Sequence, residues 1–287
     1  MIIKTASLTP EQRHIILDKG TEYPTTGEFD EWDEPGTYIC RQCGLPLYRA
    51  DDKFHSGCGW PSFDEEIEGS VRRQLDADGQ RTEILCARCD AHLGHVFHGE
   101  ALTAKNTRHC VNSISLDFVP SLSVKDTDEA IFAAGCFWGV EYYFKHLPGV
   151  VKTQVGYSGG HVDNPTYEEI CDHGSGHFEV IRVLYDPNEI DFKRIAQFFI
   201  EIHDPTQVGG QGPDIGEQYL SVGFYYNDAQ REILEELIDE LERQGYTIAT
   251  QLRPVETFWR AESYHQDYYH KKGGEPYCHV HTKRFEK

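Results

Sequence analysis

The chain has almost no methionine: Met1 is the single one among 287 residues. Methionine is the apolar side chain that oxidants turn into a polar sulfoxide, so its scarcity hints at a protein adapted to oxidation chemistry. Positive charge is also short. Lys and Arg number 27 against 48 Asp and Glu, and the resulting net charge of −21 repels a phosphate backbone, which argues against nucleic-acid binding. No apolar run approaches the length of a membrane span, so a transmembrane reading is excluded. The opening Met1–Thr5 holds one lysine and no apolar stretch suited to export, and the cytoplasm is the expected compartment.

Cysteine, in contrast, is plentiful. Nine of them, an odd number without an export signal, fit metal or redox chemistry better than a disulfide framework. A chain of 287 residues is long for one core and comfortable for two domains.

Local signals divide the chain. Thr9-Pro10-Glu11-Gln12 predicts a capped helix that Gly20 stops. From Gly36 to Val119 short strands and turns follow, including Thr37–Cys40 and a hairpin from Val71 to Cys86 turning near Asp78-Gly79. The run from Arg108 to Phe118 alternates so that Cys110, Asn112, Ile114, Leu116 and Phe118 share one strand face. This half is expected to be mainly antiparallel β, a domain over residues 1–120. Residues 121–127 are short and polar, with the composition of a linker. Residues 128–287 form the second domain. It mixes strands near Ala130–Ala134, Val150–Val155, Phe178–Tyr185 and Tyr219–Tyr226 with helices opening at Cys136, Asp191 and Asn227, the last ended by Gly245. Its expected class is an α+β two-layer sandwich with a ferredoxin-like core.

Cys40-x-x-Cys43 and Cys86-x-x-Cys89 are two thiolate pairs at the spacing that lets both sulfurs of a pair reach one tetrahedral zinc. Four protein thiolates leave no open position, so the metal is expected to be structural, one per chain, clamping two ends of a folded domain. Cys58 and Cys110 remain in this half. Arg108 and His109 flank Cys110 and favour a thiolate there, the histidines of Ala91–Phe97 offer a proton, and burial as small apolar groups is the alternative.

Taken together, the segments GCGWPSF (57–63), CARCDAHLGHVF (86–97) and RHCVNSISLDF (108–118) resemble the methionine-R-sulfoxide reductase family over roughly residues 5–120. The resemblance implies that Cys110 attacks the sulfoxide sulfur while His92, His95 and Asn112 bind and protonate its oxygen. Trp60 then holds the methyl group, Arg108 favours the Cys110 thiolate and Cys58 resolves the sulfenic acid. His98-Gly99-Glu100 and His109 depart from the family pattern, the first in a loop at the substrate rim and the second beside the nucleophile.

In the second half, Gly135-Cys-Phe-Trp-Gly139 follows a predicted strand and opens a predicted helix, where unpaired N–H groups stabilise a thiolate at Cys136. This pentapeptide resembles the hallmark of the methionine-S-sulfoxide reductase family. Asn164–Cys171, Gly176–Glu179, His203–Thr206 and Gln211–Tyr219 resemble its other blocks, over about residues 128–280. The resemblance implies Cys136 as nucleophile, Glu179 as general acid, Phe137 and Trp138 as the methyl pocket, and Tyr167, Asp214 and Tyr219 as hydrogen-bonding groups. One tail cysteine, Cys278, stands where some members carry two, and a flexible terminus would bring it to Cys136 as resolver. Cys171 is expected to be a buried structural thiol.

A sulfoxide sulfur is stereogenic, so each epimer needs its own pocket, and each attack leaves a sulfenic acid that a second thiol and then an external dithiol must clear. The expectation is therefore a bifunctional peptide-methionine sulfoxide reductase acting on oxidised proteins or peptides, recycled by thioredoxin or a similar dithiol, with zinc and no organic cofactor. Two rivals stand beside it: a first half that is only a zinc-stabilised binding module, and a general thiol-disulfide oxidoreductase or peroxide sensor.

Overall fold

The structure, a computed structural model, describes residues 8–172 and 174–285, so Met1–Thr5 lies outside it. The chain divides into two compact units, Met1–Thr127 and Asp128–Lys287.

In the first unit α1 (Pro10–Ile16) starts at its predicted box: Gln12 N–H donates to the Thr9 hydroxyl at 3.2 Å, and Thr9 N–H donates to the Gln12 side chain at 3.0 Å. The helix stops at Ile16, short of Gly20; Leu17 is already the cap, and Gly20 N–H closes the next turn onto the His14 carbonyl at 2.9 Å. Nine strands follow: β1 (Thr37–Cys40), β2 (Pro46–Arg49), β3 (Lys53–Phe54), β4 (Ser62–Phe63), β5 (Val71–Leu75), β6 (Thr82–Cys86), β7 (His92–His98), β8 (Thr107–Val111) and β9 (Leu116–Val119). They make two antiparallel sheets, β2-β1-β9 and β3-β4-β8-β7-β6-β5. Tyr38 and Tyr48 of the first share one buried cluster with Phe63, Ile84, Leu93 and Val111 of the second, and Tyr48 stacks on Phe63 with centroids 4.3 Å apart.

The strand expected over Arg108–Phe118 is not continuous. A 3₁₀ turn at Ser113–Ser115 splits it into β8 and β9, which belong to different sheets. The cause is a buried carboxylate from far away in sequence: Glu22 accepts the N–H groups of Ser113 and, at 3.0 Å, Ile114. Once those donors turn inward the alternation is lost, and Ser113 and Ser115 are buried rather than Ile114. Residues 121–127 form no regular element, yet they are tied to this unit. Thr37 donates to the Ser121 carbonyl at 2.6 Å, Arg49 to that of Val124 at 2.5 Å, and the Thr127 hydroxyl to that of Gly44 at 2.9 Å.

The second unit contains β10 (Asp128–Ala134), α2 (Phe137–Lys145), β11 (Val150–Ser158), α3 (Tyr167–Cys171), β12 (Phe178–Tyr185), α4 (Phe192–Glu201), β13 (Gly210–Gln211), β14 (Asp214–Ile215), β15 (Ser221–Tyr225), α5 (Asp228–Arg243), β16 (Gln251–Pro254), β17 (Trp259–Arg260) and α6 (Tyr268–Lys272). One six-stranded sheet runs β16-β15-β10-β12-β11-β17, antiparallel except for the β15–β16 pair. Alternation decides the layers. Ala130, Phe132, Ile181 and Val183 meet Phe144 of α2, Phe199 of α4 and Leu237 of α5, while Ile131, Ala133, Val180 and Phe224 meet Phe258 on the other face. The strand expected at Tyr219 starts two residues later, because Glu217–Tyr219 is a 3₁₀ turn.

Candidate active sites and a four-cysteine cluster

Cys110 sits in β8 directly between two partners: Ser62 pairs with it from β4 and His95 from β7, so the three side chains lie in one row on one sheet face. Cys58, in the loop before β4, brings its sulfur to 3.8 Å from that of Cys110. The Ser56 hydroxyl lies 3.0 Å and the Ser62 hydroxyl 3.6 Å from the Cys58 sulfur. The hydrogen bond from Cys110 and these two hydroxyls hold Cys58 down to about 4 against the cost of burial, so the pair carries one negative charge. That same bond, together with burial, pushes Cys110 up; Arg108 pulls the other way, as expected, and is outweighed.

The two histidines reach one face through an irregularity. The β6–β7 register shifts between Ile84 and Leu85 so that Leu93 is skipped, and Gly94, with φ 151°, takes a conformation that side chains avoid, at a place where a Cβ would meet the Cys110 carbonyl at 2.0 Å. His92 and His95 then lie with ring centroids 5.7 Å apart. Each is held by a carboxylate that the sequence did not suggest. Glu83 accepts from His92 Nδ1 at 2.7 Å and from Lys19 at 2.9 Å, and Asp76 bonds His95 Nε2 at 2.8 Å. The buried Nε2 of His92 has no partner among the described residues.

Asn112 is less available. Its Oδ1 accepts from Glu22 N–H at 3.1 Å and its amide donates to the Leu93 carbonyl at 3.2 Å, so it braces the loop and β7. Trp60 donates to the Glu22 carbonyl at 3.1 Å. Of the two departures from the family pattern, Glu100 grips Arg108 through two bonds of 2.8 and 3.0 Å. His109 points to the opposite face from Cys110, buried against the Tyr48 hydroxyl at 3.1 Å, and burial lowers it to about 4.

The four cysteines of the CxxC pairs converge on one point. Cys40 and Cys89 sulfurs are 3.7 Å apart, those of Cys43 and Cys86 3.5 Å apart, and all four lie within 4.8 Å of one another. Sulfurs about 2.3 Å from a tetrahedral zinc stand about 3.8 Å from each other, so the set fits that ion.

In the second unit Cys136 caps α2 and is 7% exposed. Its Sγ, that of Cys278 and an Asp214 carboxylate oxygen all lie within 4.8 Å of one another. The thiolate expected from the helix position is not the resting form. The Trp138 N–H does favour it, but a hydrogen bond with Cys278 and burial win and push Cys136 up. Glu179, in the middle of β12 and 1% exposed, accepts the Phe137 N–H at 3.0 Å. Burial, then the neighbouring Cys136, raises its carboxyl well above the ordinary 4.5, which favours the protonated form.

The aromatic wall is built from both ends of the unit. Trp138 stacks on Tyr268 with centroids 3.7 Å apart and donates to His265 Nδ1 at 2.9 Å; the buried His265 also touches Phe137 and Tyr167, with centroids 5.0 and 4.5 Å away. Glu262 accepts from Tyr157 OH and from the Tyr167 N–H, both at 2.9 Å, which fixes the start of α3 and aims Tyr167. Tyr167 and Tyr219 bond each other, and burial raises Tyr219 to about 12. Glu262, His265 and Tyr268 carry no motif, and no local signal points to them.

The tail is docked rather than free. Tyr277 OH bonds Asp214 at 3.2 Å, Tyr143 OH donates to the His279 carbonyl at 3.2 Å, and Thr282 N–H donates to the Glu201 carbonyl at 2.7 Å. Cys278 thus reaches Cys136 without the flexibility the sequence suggested. Cys171 is partly exposed and touches Tyr167, so it is not the buried thiol expected.

Two separate pairs of neighbouring thiols, one beside a histidine pair and one beside a buried carboxylic acid, define a thiol-based oxidoreductase with two sites. Comparisons with known proteins point to the same class. Residues 128–287 match the family described as peptide methionine sulfoxide reductase, and residues 8–120 match the SelR domain. Among curated proteins, peptide methionine sulfoxide reductase MsrA of Saccharolobus solfataricus is 45% identical over 152 residues, covering 53% of this chain and 86% of that protein. MsrA of Methanosarcina acetivorans is 48% identical over 149 residues, 51% of this chain and 79% of that one. A crystal structure of reduced Mxr1 from Saccharomyces cerevisiae matches 54% of this chain and 92% of its own, with 34% identity and a TM-score of 0.51. The chain belongs to the peptide methionine sulfoxide reductase family and carries a SelR domain ahead of that unit. It is an oxidoreductase with both methionine sulfoxide reductase activities, one for the R and one for the S epimer.

Proposed function

We propose that the domain over residues 1–120 reduces the R epimer at Cys110, that residues 128–287 reduce the S epimer at Cys136, and that 121–127 join them. The observation that carries this reading is the presence of two nucleophile–resolver pairs, each within a few ångströms and each beside its own proton source.

At the first site Cys110 attacks the sulfoxide sulfur and passes its proton to Cys58, the neighbour that holds the pair's charge. His95, paired with Asp76, binds the oxygen and protonates it, and His92, whose Nδ1 proton is held by Glu83, lines the pocket beside it, with Asn112 bracing the wall behind them; Trp60 holds the methyl group and Arg108 steadies the sulfur charge. At the second site the protonated Glu179 gives its proton to the sulfoxide oxygen as Cys136 attacks, and the Cys136 thiol proton returns the carboxylate to its acid form. Phe137 and Trp138 surround the methyl group, and Tyr167, Asp214 and Tyr219 hydrogen-bond the polar end. In both, the oxygen passes from substrate sulfur to cysteine sulfur, releasing methionine and leaving a sulfenic acid. Cys58 or Cys278 then displaces that oxygen as water, forming a disulfide that thioredoxin or a similar dithiol reduces.

Cys40, Cys43, Cys86 and Cys89 hold one structural zinc, a reading supported by the sulfur spacing. With zinc bound, Cys40 and Cys43 at the end of β1 would be tied to Cys86 and Cys89 at the end of β6, and four thiolate ligands would leave no position open for chemistry. The strand order β15-β10-β12-β11 with α2 and α4 on one face supports the ferredoxin-like core for the second unit.

The test is turnover of separated R and S epimers of a blocked methionine sulfoxide, with dithiothreitol, by wild type, Cys110→Ser and Cys136→Ser. Loss of R turnover alone in the first and S turnover alone in the second is expected. An unchanged R rate in Cys110→Ser would leave the first unit as a binding module.

A further inference from the structure

The disulfide-forming step needs Cys278 to lose a proton, and none of the roles above supplies a base for it. His279 stands next to it with its hydrogen-bonding decided by geometry. Its Nε2 lies 2.7 Å from the Ala134 carbonyl oxygen, which only accepts, so Nε2 carries the proton. Burial lowers the ring's pKa, so the imidazole is neutral and Nδ1 keeps a lone pair. That Nδ1 is 3.0 Å from the Cys278 sulfur and is the acceptor in the contact. The ring is 2% exposed, and its seat is cut from the nucleophile's own motif: a Cβ on Gly139 would strike Nδ1 at 2.3 Å. A hydrogen bond from the Tyr143 side-chain hydroxyl to the His279 backbone carbonyl, at 3.2 Å, fixes the segment from the other side.

We infer that His279 is the general base that activates Cys278 in the second half of S-epimer turnover. This rests on Cys278 being the resolver of Cys136. As the Cys278 sulfur attacks the Cys136 sulfenic acid, His279 Nδ1 takes the thiol proton. The S–S bond forms, the S–O bond of Cys136 breaks, and the departing oxygen takes the proton from the imidazolium and leaves as water. No electrons enter or leave; the oxidising equivalent came from the sulfoxide. The tautomer lock has a second consequence: the base is ready before the sulfenic acid exists, and the ring needs no turn to act.

The experiment uses pre-reduced full-length protein and one equivalent of the S epimer without reductant. Methionine release, dimedone-trapped sulfenic acid and the Cys136–Cys278 disulfide are followed by rapid quench and mass spectrometry across pH. In wild type, disulfide formation is expected to be nearly flat above about pH 6, because a neutral imidazole is already available. His279→Gln and His279→Asn are expected to keep the one-equivalent methionine burst, to form the disulfide about 100-fold more slowly at neutral pH, and to accumulate trappable sulfenic acid. Their rate should climb about tenfold per pH unit toward the ordinary thiol range, a change of profile that loosened packing alone would not produce. A wild-type rate and profile in these variants overturns the assignment. So does loss of the burst in both, which would place His279 in the first step. Cys278→Ser separates the underlying reading: if it still forms an intramolecular disulfide at the wild-type rate, Cys278 is not the resolver and the role of His279 falls with it.

Discussion

Around Cys110 the groups that set the charge are polar: two serine hydroxyls, a second thiol and an arginine that Glu100 holds by two bonds. Around Cys136 they are a second thiol, Cys278, and burial beside Phe137 and Trp138, with the Asp214 carboxylate close by and a fully buried Glu179 whose proton affinity is raised. The first site favours a charged sulfur beside histidines tied to carboxylates, and the second a neutral thiol beside a carboxyl whose proton affinity burial raises. The proposed R and S reductions would thus start from two different electrostatic settings.

The largest effects that sharpen this contrast come from the acid. Glu179→Gln should lower S-epimer kcat by about 10²- to 10³-fold while alkylation of Cys136 by iodoacetamide changes little, since the acid acts on the substrate oxygen. Equal losses in both would move Glu179 to thiol activation. Because burial raises the Glu179 carboxyl above 4.5, S-epimer kcat should hold level from about pH 5 to 7; a tenfold fall per unit over that range would mean the acid ionises normally.

Next in size is the four-sulfur cluster. Cys86→Ser should remove the metal found by elemental analysis and lower the melting temperature of the first unit's transition by about 10 °C or more, with S-epimer turnover kept. Protein made with ample zinc yet containing none would remove the structural-metal reading.

Selective alkylation probes the sulfur charge itself. At about pH 6, with Cys58 held down to about 4, iodoacetamide should label Cys58 ahead of Cys110 and Cys136 in mass-spectrometric mapping. Labelling of Cys136 first would erase the difference between the sites. The smallest effect is expected at the rim: Glu100→Gln should raise KM for the R epimer only a few-fold, because the ion pair is partly exposed and Arg108 retains its place over the Phe97 ring at 4.6 Å.

Much of the fold was legible locally. The capping box at Thr9, the hairpin between β5 and β6, β12 at its predicted ends and the Asn227 cap of α5 follow from neighbouring residues, and periodicity and caps are short-range signals. One misreading arises where a distant group intervenes, as Glu22 breaks the strand at Ser113; another is a local 3₁₀ turn at Glu217–Tyr219 that delays β15. The thiolate expected at Cys136 fails for the first of these reasons: the helix position is local, whereas the burial and the Cys278 contact that outweigh it are not.

By itself the sequence determined the chemistry on offer: two CxxC pairs, the thiols within GCGWPSF, RHC and GCFWG, and the glycines that free the backbone beside them. Tertiary structure alone decided which protons those groups hold. Glu83 and Asp76 reach the histidines, Glu262 and His265 set the aromatic wall, and the docked tail carries the neighbours Cys278 and His279 together to Cys136 and the Ala134 carbonyl. A side chain's residue type is written in the chain, but its proton affinity depends on burial and on neighbours within a few ångströms, and those are brought together only by folding.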